Sequence, residues 1–154
     1  MRVRRLFVLS RSIRLALVFV ALLVCGCGDG RVPVYPITGK VEYEGKPAPF
    51  ATVIFHPQNA PSANDALSPR ATTALDGTFA LSTYGVRDGA PEGDYRVTVS
   101  WQVPEGRIDP NELDPDVMQD SPERIPKKYT RPNSTPIRLA ITSDMRQLET
   151  FKLP

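Results

Sequence analysis

Residues 94–101, DYRVTVSW, alternate polar and apolar side chains without a break. Such a pattern buries one face only if the chain is extended, because side chains repeat every 2 residues in a strand and every 3.6 in a helix. It sends Tyr95, Val97, Val99 and Trp101 inward and Asp94, Arg96, Thr98 and Ser100 outward. A one-residue slip would expose four large apolar side chains and bury two charges, so the register is strongly specified. One half-buried strand is not stable alone; the rest of the chain must supply a sheet.

It does so in short pieces. In ITGKVEY, Ile37, Gly39, Val41 and Tyr43 share one face, and Gly45-Lys46-Pro47 breaks the run. Phe50 to Phe55 form the next segment, ending at His56-Pro57. The polar stretch QNAPSANDALSP separates it from Ala71–Leu75, and Asp76-Gly77 then joins that run to Thr78–Ser82. An Asp-Gly pair between strand-like runs predicts a hairpin, with the glycine supplying the positive φ. Ile137, Leu139 and Ile141 alternate, and Phe151 and Leu153 close the chain. The expectation is all-β: seven short strands punctuated by turns, no helical periodicity, and sixteen prolines, a β-sandwich. Gly93 before the DYRVTVSW run and Pro104 after it place that strand centrally, since proline is excluded from central ladders.

The N-terminus reads differently. Residues 1–14 hold Arg2, Arg4, Arg5, Arg11 and Arg14 and no acid; Leu15–Val24 are all apolar. A basic region, a short apolar core and a small-residue site make a secretory signal, and the core is shorter than the roughly 20 residues of a membrane span. Arg4-Arg5-Leu6-Phe7 resembles a twin-arginine signal but lacks the preceding Ser or Thr, which favours the general secretion route. The two cysteines, Cys25 and Cys27, follow the core. A Cys-x-Cys disulfide is a poor geometric fit, and His56 is the only histidine available to a zinc site that needs four ligands. Val24-Cys25-Gly26-Cys27 resembles a bacterial lipobox with Cys27 as the acylated residue, though Cys25 stands where Ala or Ser is usual. The expected organisation is a lipoprotein signal at 1–26, the lipidated Cys27 with a flexible tether through residue 36, and one domain at 37–154. The leader takes five of the nineteen Lys and Arg and none of the seventeen acids, leaving fourteen against seventeen, a net of −3. The basic balance thus belongs to the leader, which removes the case for nucleic acid as a partner.

The order GKVEYEGKPAPFATVIFHP, LDGTFALSTY, GAPEGDYRVTVSW resembles the carboxypeptidase regulatory-like, or transthyretin-like (prealbumin-like), domain. It is similar in particular to short bacterial lipoproteins that carry such a domain after the lipobox, over residues 37–154; IPKKYTRPNSTPIRLAI is similar to their tails. The resemblance implies a seven-stranded transthyretin-like sandwich in which Asp76, Gly77, Gly93, Tyr95, Val97, Val99 and Trp101 are structural. It also implies a lipid-anchored, extracytoplasmic place in the bacterial cell envelope, at the outer membrane or its periplasmic face. It names no substrate.

Little else suggests chemistry. The zinc enzymes that lend the domain its name use His-x-x-Glu and a distant His; here His56-Pro57-Gln58-Asn59 has neither. No Gly-x-Ser-x-Gly turn or glycine-rich phosphate loop is present. The acidic segment at about 104–130 offers Asp109, Glu112, Asp114 and Asp116 as calcium ligands, without the Asp-x-Asp-x-Asp-Gly spacing. Asn133-Ser134-Thr135 matches a glycosylation sequon that a bacterial lipobox makes incidental. The expectation is therefore a non-enzymatic module without cofactor or metal, held to the membrane by its lipid and binding an envelope protein or glycan. The alternative is a small-ligand or carbohydrate-binding accessory to a separate enzyme or transporter, for which Tyr84, Tyr129 and Trp101 are the candidate stacking surfaces.

Overall fold

A computed structural model describes residues 31–59, 67–103 and 121–154. Its strands are β1 (Thr38–Tyr43), β2 (Lys46–Pro47), β3 (Thr52–Pro57), β4 (Arg70–Thr72), β5 (Thr78–Ala80), β6 (Gly93–Ser100), β7 (Arg138–Ile141) and β8 (Phe151–Leu153). The described residues are all-β, in two four-stranded sheets. One sheet sets β2 and β5 along one edge of β1 and β8, parallel, along the other. The other runs β4-β3-β6-β7, antiparallel throughout. The two inner faces share one core, a β-sandwich-like arrangement.

The core is an aromatic cluster contributed by both sheets. Phe55 of β3 lies 6.5 Å from Phe79 of β5, 5.8 Å from Tyr95 of β6 and 6.4 Å from Phe151 of β8, centroid to centroid. Gly39 makes room for it: a Cβ there would come within 2.4 Å of the Phe79 ring. β6 lies between β3 and β7, with Tyr95, Val97 and Val99 buried. Trp101 follows just past the strand, half-buried against the core. Tyr95 bends back to donate its hydroxyl to the Pro91 carbonyl at 3.0 Å, as a tyrosine corner does, and burial pushes its pKa up to about 12.

Three expectations need correction. The strand count is eight among the described residues, because Gly45-Lys46-Pro47 does not simply end β1. Glu44 and Gly45 take φ values of 51° and 75°, a tight turn that folds β2 back onto Glu42 and Tyr43. Pro47, lacking an N–H, ends up at the sheet margin, where one is not required.

The Asp76-Gly77 turn forms, but not as a hairpin within one sheet. Gly77 N donates to Ala74 O and Ala74 N to Thr78 O, with Gly77 at φ 80°. The two runs then part: β4 pairs with β3 and β5 with β1, with backbone pairing between the runs resumed at the Arg70–Ser82 bridge. Gly77 is itself bound to β1, its carbonyl accepting from Val41 N, and a Cβ on it would lie 2.5 Å from Val41 O. Turn chemistry is local; sheet membership follows from where each run buries its apolar face.

Thr98, expected in solvent, is buried at 6% exposure. Its hydroxyl is hydrogen-bonded to His56 Nε2 at 2.9 Å. Beside it, irregular residues 129–137 line the edge of β6: Val99 N donates to Tyr129 O, Val97 N to Ile137 O, and Thr135 Oγ1 to Val97 O. Periodicity assigns a residue to a face and says nothing of what covers that face.

Candidate functional site

β5 is antiparallel to β1, so the loop after β5 lies at the end where the chain enters the domain. Tyr35 and Ala90 exchange both backbone hydrogen bonds there, at 2.9 and 3.0 Å, so pairing begins two residues ahead of Ile37. Gly89 permits this contact: a Cβ would sit 1.8 Å from Tyr35 O, and its φ is 106°.

The intervening loop, residues 82–89, is held by its own polar side chains. The Asp88 carboxylate accepts from the amides of Thr83 (2.7 Å), Tyr84 (2.9 Å) and Gly85 (2.8 Å). Ser82 Oγ accepts from Arg87 N, and Thr83 Oγ1 donates to Gly89 O. Desolvation pushes the Asp88 carboxyl up, but the amides of Thr83, Gly85 and Tyr84 outweigh it and hold the group below its ordinary value of 3.8. This frame fixes Arg87 at φ 57° and presents Val86 with 90% of its surface exposed, beside exposed Tyr84. A non-glycine residue in that backbone region carries strain of order 1 to 3 kcal/mol and persists where surroundings enforce it, commonly at functional positions.

Arg87 also borders a groove of about 540 Å³. Thr38, Lys40, Thr78, Gln147 and Thr150 bring hydroxyl, amide and ammonium groups to it. Lys40 is committed to Glu42 at 2.8 Å. Phe50, Phe79 and Leu148 add apolar surface. A groove of mixed lining bordered by this loop can hydrogen-bond an extended ligand, with the exposed Val86 and Tyr84 as apolar anchors.

The other sequence candidates fall elsewhere. Cys27, with its tether through Gly30, lies outside the described residues, as do Asp109, Glu112, Asp114 and Asp116. Asp76 caps its turn through Oδ1, which accepts from Thr78 Oγ1 and N; those bonds lower its pKa. Gly93 opens β6 at φ 146°. Of the three aromatic candidates, Tyr129 is buried. Trp101 is half-buried, donates Nε1 to Pro49 O at 2.7 Å, has the Arg124 guanidinium over its ring and meets Tyr43 edge-on. Only Tyr84 is exposed. The second half of the acidic segment returns to the sandwich: Glu123 accepts from Ser100 Oγ and Trp101 N, and Arg124 donates to Val103 O. His56 is partnered by Thr98, not by a carboxylate, and desolvation lowers its pKa. Among the described residues no three His, Cys, Asp or Glu side chains converge on a metal position.

Sequence reasoning missed Asp88 and Thr73. Asp88-Gly89 is another Asp-Gly pair but, unlike Asp76-Gly77, it does not sit between alternating runs. Thr73 is buried; its hydroxyl donates to Ala48 O and accepts from Ala51 N, and no sequence signal separates it from Thr72.

Comparison with known proteins adds little. No family model matches the chain, and no curated protein does. Among solved structures it is similar to a 9R-lipoxygenase from Cyanothece, at 14% identity and a TM-score of 0.40. That likeness spans 79% of this chain and 17% of the lipoxygenase, and it carries no argument about fold or activity.

Proposed function

We propose that the chain is a lipid-anchored, extracytoplasmic binding protein of the cell envelope. It is acylated at Cys27 and carries one transthyretin-like sandwich. Its role is to bind an envelope protein or glycan, not to catalyse a reaction. The observation that carries this reading is the 82–89 loop, held by its own hydrogen bonds yet exposing Val86 and a strained Arg87 beside a groove of mixed polar and apolar lining. Binding residues commonly sit on loops held by a rigid scaffold. The Tyr35–Ala90 pairing brings the tether in beside that loop, which suits a partner close to the anchoring membrane. The Thr98 hydroxyl beside His56 is buried, and no carboxylate among the described residues orients the imidazole, so the pair lacks the access and the third group that an activated nucleophile needs.

Two measurements test it. Cys27→Ser abolishes labelling by a fatty-acid probe and releases the protein from the membrane fraction, whereas Cys25→Ser leaves both unchanged. One acyl chain binds a membrane only marginally, so the modification carries at least two. Val86→Asp abolishes recovery of partners from detergent-solubilised envelope while the protein remains acylated and folded. Full labelling of Cys27→Ser contradicts the anchor; undiminished recovery with Val86→Asp contradicts the loop.

A further inference from the structure

On the outer face of the second sheet, His56, Arg96 and Arg138 occupy one row across β3, β6 and β7: His56 opposes Arg96, and Arg96 opposes Arg138. Side chains directly opposite in an antiparallel pair lie about 5 Å apart at Cβ, and like charges so placed repel. Neither arginine has an ion-pair partner among the described residues. Arg96 Nη1 donates to Pro132 O at 3.3 Å, leaving most of its five donors unused. Asp94, the nearby carboxylate, accepts from Asn59 Nδ2 at 3.2 Å. These groups border a cleft of about 390 Å³ lined by Gln58, Asp94, Tyr95, Arg96, Arg138 and Leu139. Two guanidinium groups thus face one carboxylate in the lining, and from Arg124 to Arg138 the chain carries Lys127, Lys128 and Arg131 as well, and no acid. That stretch lies beside Arg96 through its Pro132 contact.

We propose that this cleft binds a phosphate group, gripped between the guanidinium forks of Arg96 and Arg138. A phosphomonoester carries nearly two negative charges at neutral pH and presents several acceptor oxygens, matching two guanidinium groups in both charge and geometry. The bound group relieves the cross-strand repulsion, and the Gln58 amide supplies a neutral donor at the rim. The site is separate from the 82–89 loop and does not rest on the function proposed for it.

The test is titration calorimetry of inorganic phosphate into the full chain in neutral detergent, with ionic strength held constant by chloride. Saturable binding is expected, weakened about tenfold or more by Arg138→Gln and by Arg96→Gln. Arg138→Lys, which keeps charge and loses the fork, weakens it less. Arg70→Gln, on the same sheet but outside the cleft, removes an equal charge and changes affinity less than about twofold. Absence of saturable binding, or an equal loss in Arg70→Gln, overturns the proposal. Because wild type alone gives the first of these results, the test survives a variant that fails to fold. Co-sedimentation of the unacylated Cys27→Ser protein with phosphatidylcholine vesicles, with and without phosphatidate, distinguishes the sources. Phosphatidate-dependent pelleting reversed by free phosphate assigns a lipid headgroup, and phosphate binding without pelleting assigns a soluble phosphate ligand.

Discussion

Phe50 and Arg87 share a disfavoured backbone twist, φ 60° and 57°, and both border the 540 Å³ groove, yet what enforces it differs. At Phe50 the enforcement is buried. The Thr73 hydroxyl binds Ala48 O and Ala51 N on either side, and Thr73 O accepts from Phe50 N. At Arg87 it is a surface cage of the Asp88 carboxylate and the Ser82 and Thr83 hydroxyls. The buried strain turns the chain into β3 and positions residues that close the core. The exposed strain positions side chains that close nothing. The same conformation is architecture at Phe50 and presentation at Arg87.

The largest effect expected from breaking this contrast is at Thr73. Thr73→Val keeps the shape but leaves two buried backbone groups unpaired, and should cost about 2 to 4 kcal/mol in denaturant unfolding. A loss under about 1 kcal/mol would mean the buried clamp is not what holds Phe50.

In β6, Val97→Ala and Val99→Ala should each cost about 1.5 to 3 kcal/mol through lost burial and a cavity. Thr98→Ala, which a solvated face would tolerate, should cost about 1 to 2 kcal/mol because it leaves His56 Nε2 without its partner. A negligible effect at Thr98 would restore the half-exposed strand.

Arg87→Gly should move stability the other way. Removing the left-handed penalty should stabilise the domain by about 1 kcal/mol while weakening partner binding. Stabilisation with undiminished binding would show that the strain serves no presentation.

The smallest effects are in pH. The lowered pKa of His56 means its protonation favours the unfolded chain: its contribution is present above the ordinary 6.5 and lost as pH falls through the folded value. Asp88 is likewise depressed, so its contribution is present above 3.8 and lost as pH falls through the folded value. His56→Gln should flatten the stability profile just below pH 6.5, and Asp88→Asn the more acidic part. An unchanged profile in either variant would contradict the assignment.

The all-β character and the β6 face were legible because Tyr95, Val97 and Val99 obey a period that depends only on local geometry. Asp76-Gly77 announced its turn for the same reason. The parting of β4 from β5, the two-residue β2 and the cover beside Thr98 were not legible. Each depends on non-local pairing, and residues 121–135 bind β6 and Trp101 through irregular backbone that has no period to detect. Of the 82–89 loop, only Tyr84 was picked out; Asp88 went unread because its Asp-Gly pair is not flanked by alternating runs.

The central claim, that the loop presenting Val86 meets the partner and the β1–β2 hairpin does not, is tested most directly by site-specific photo-crosslinking in intact envelopes. A photoreactive side chain replaces either Val86 or Lys46, the latter exposed in the β1–β2 turn at the opposite end of β1. The account predicts a discrete adduct from position 86 and none from position 46. An adduct from 46 alone would contradict it.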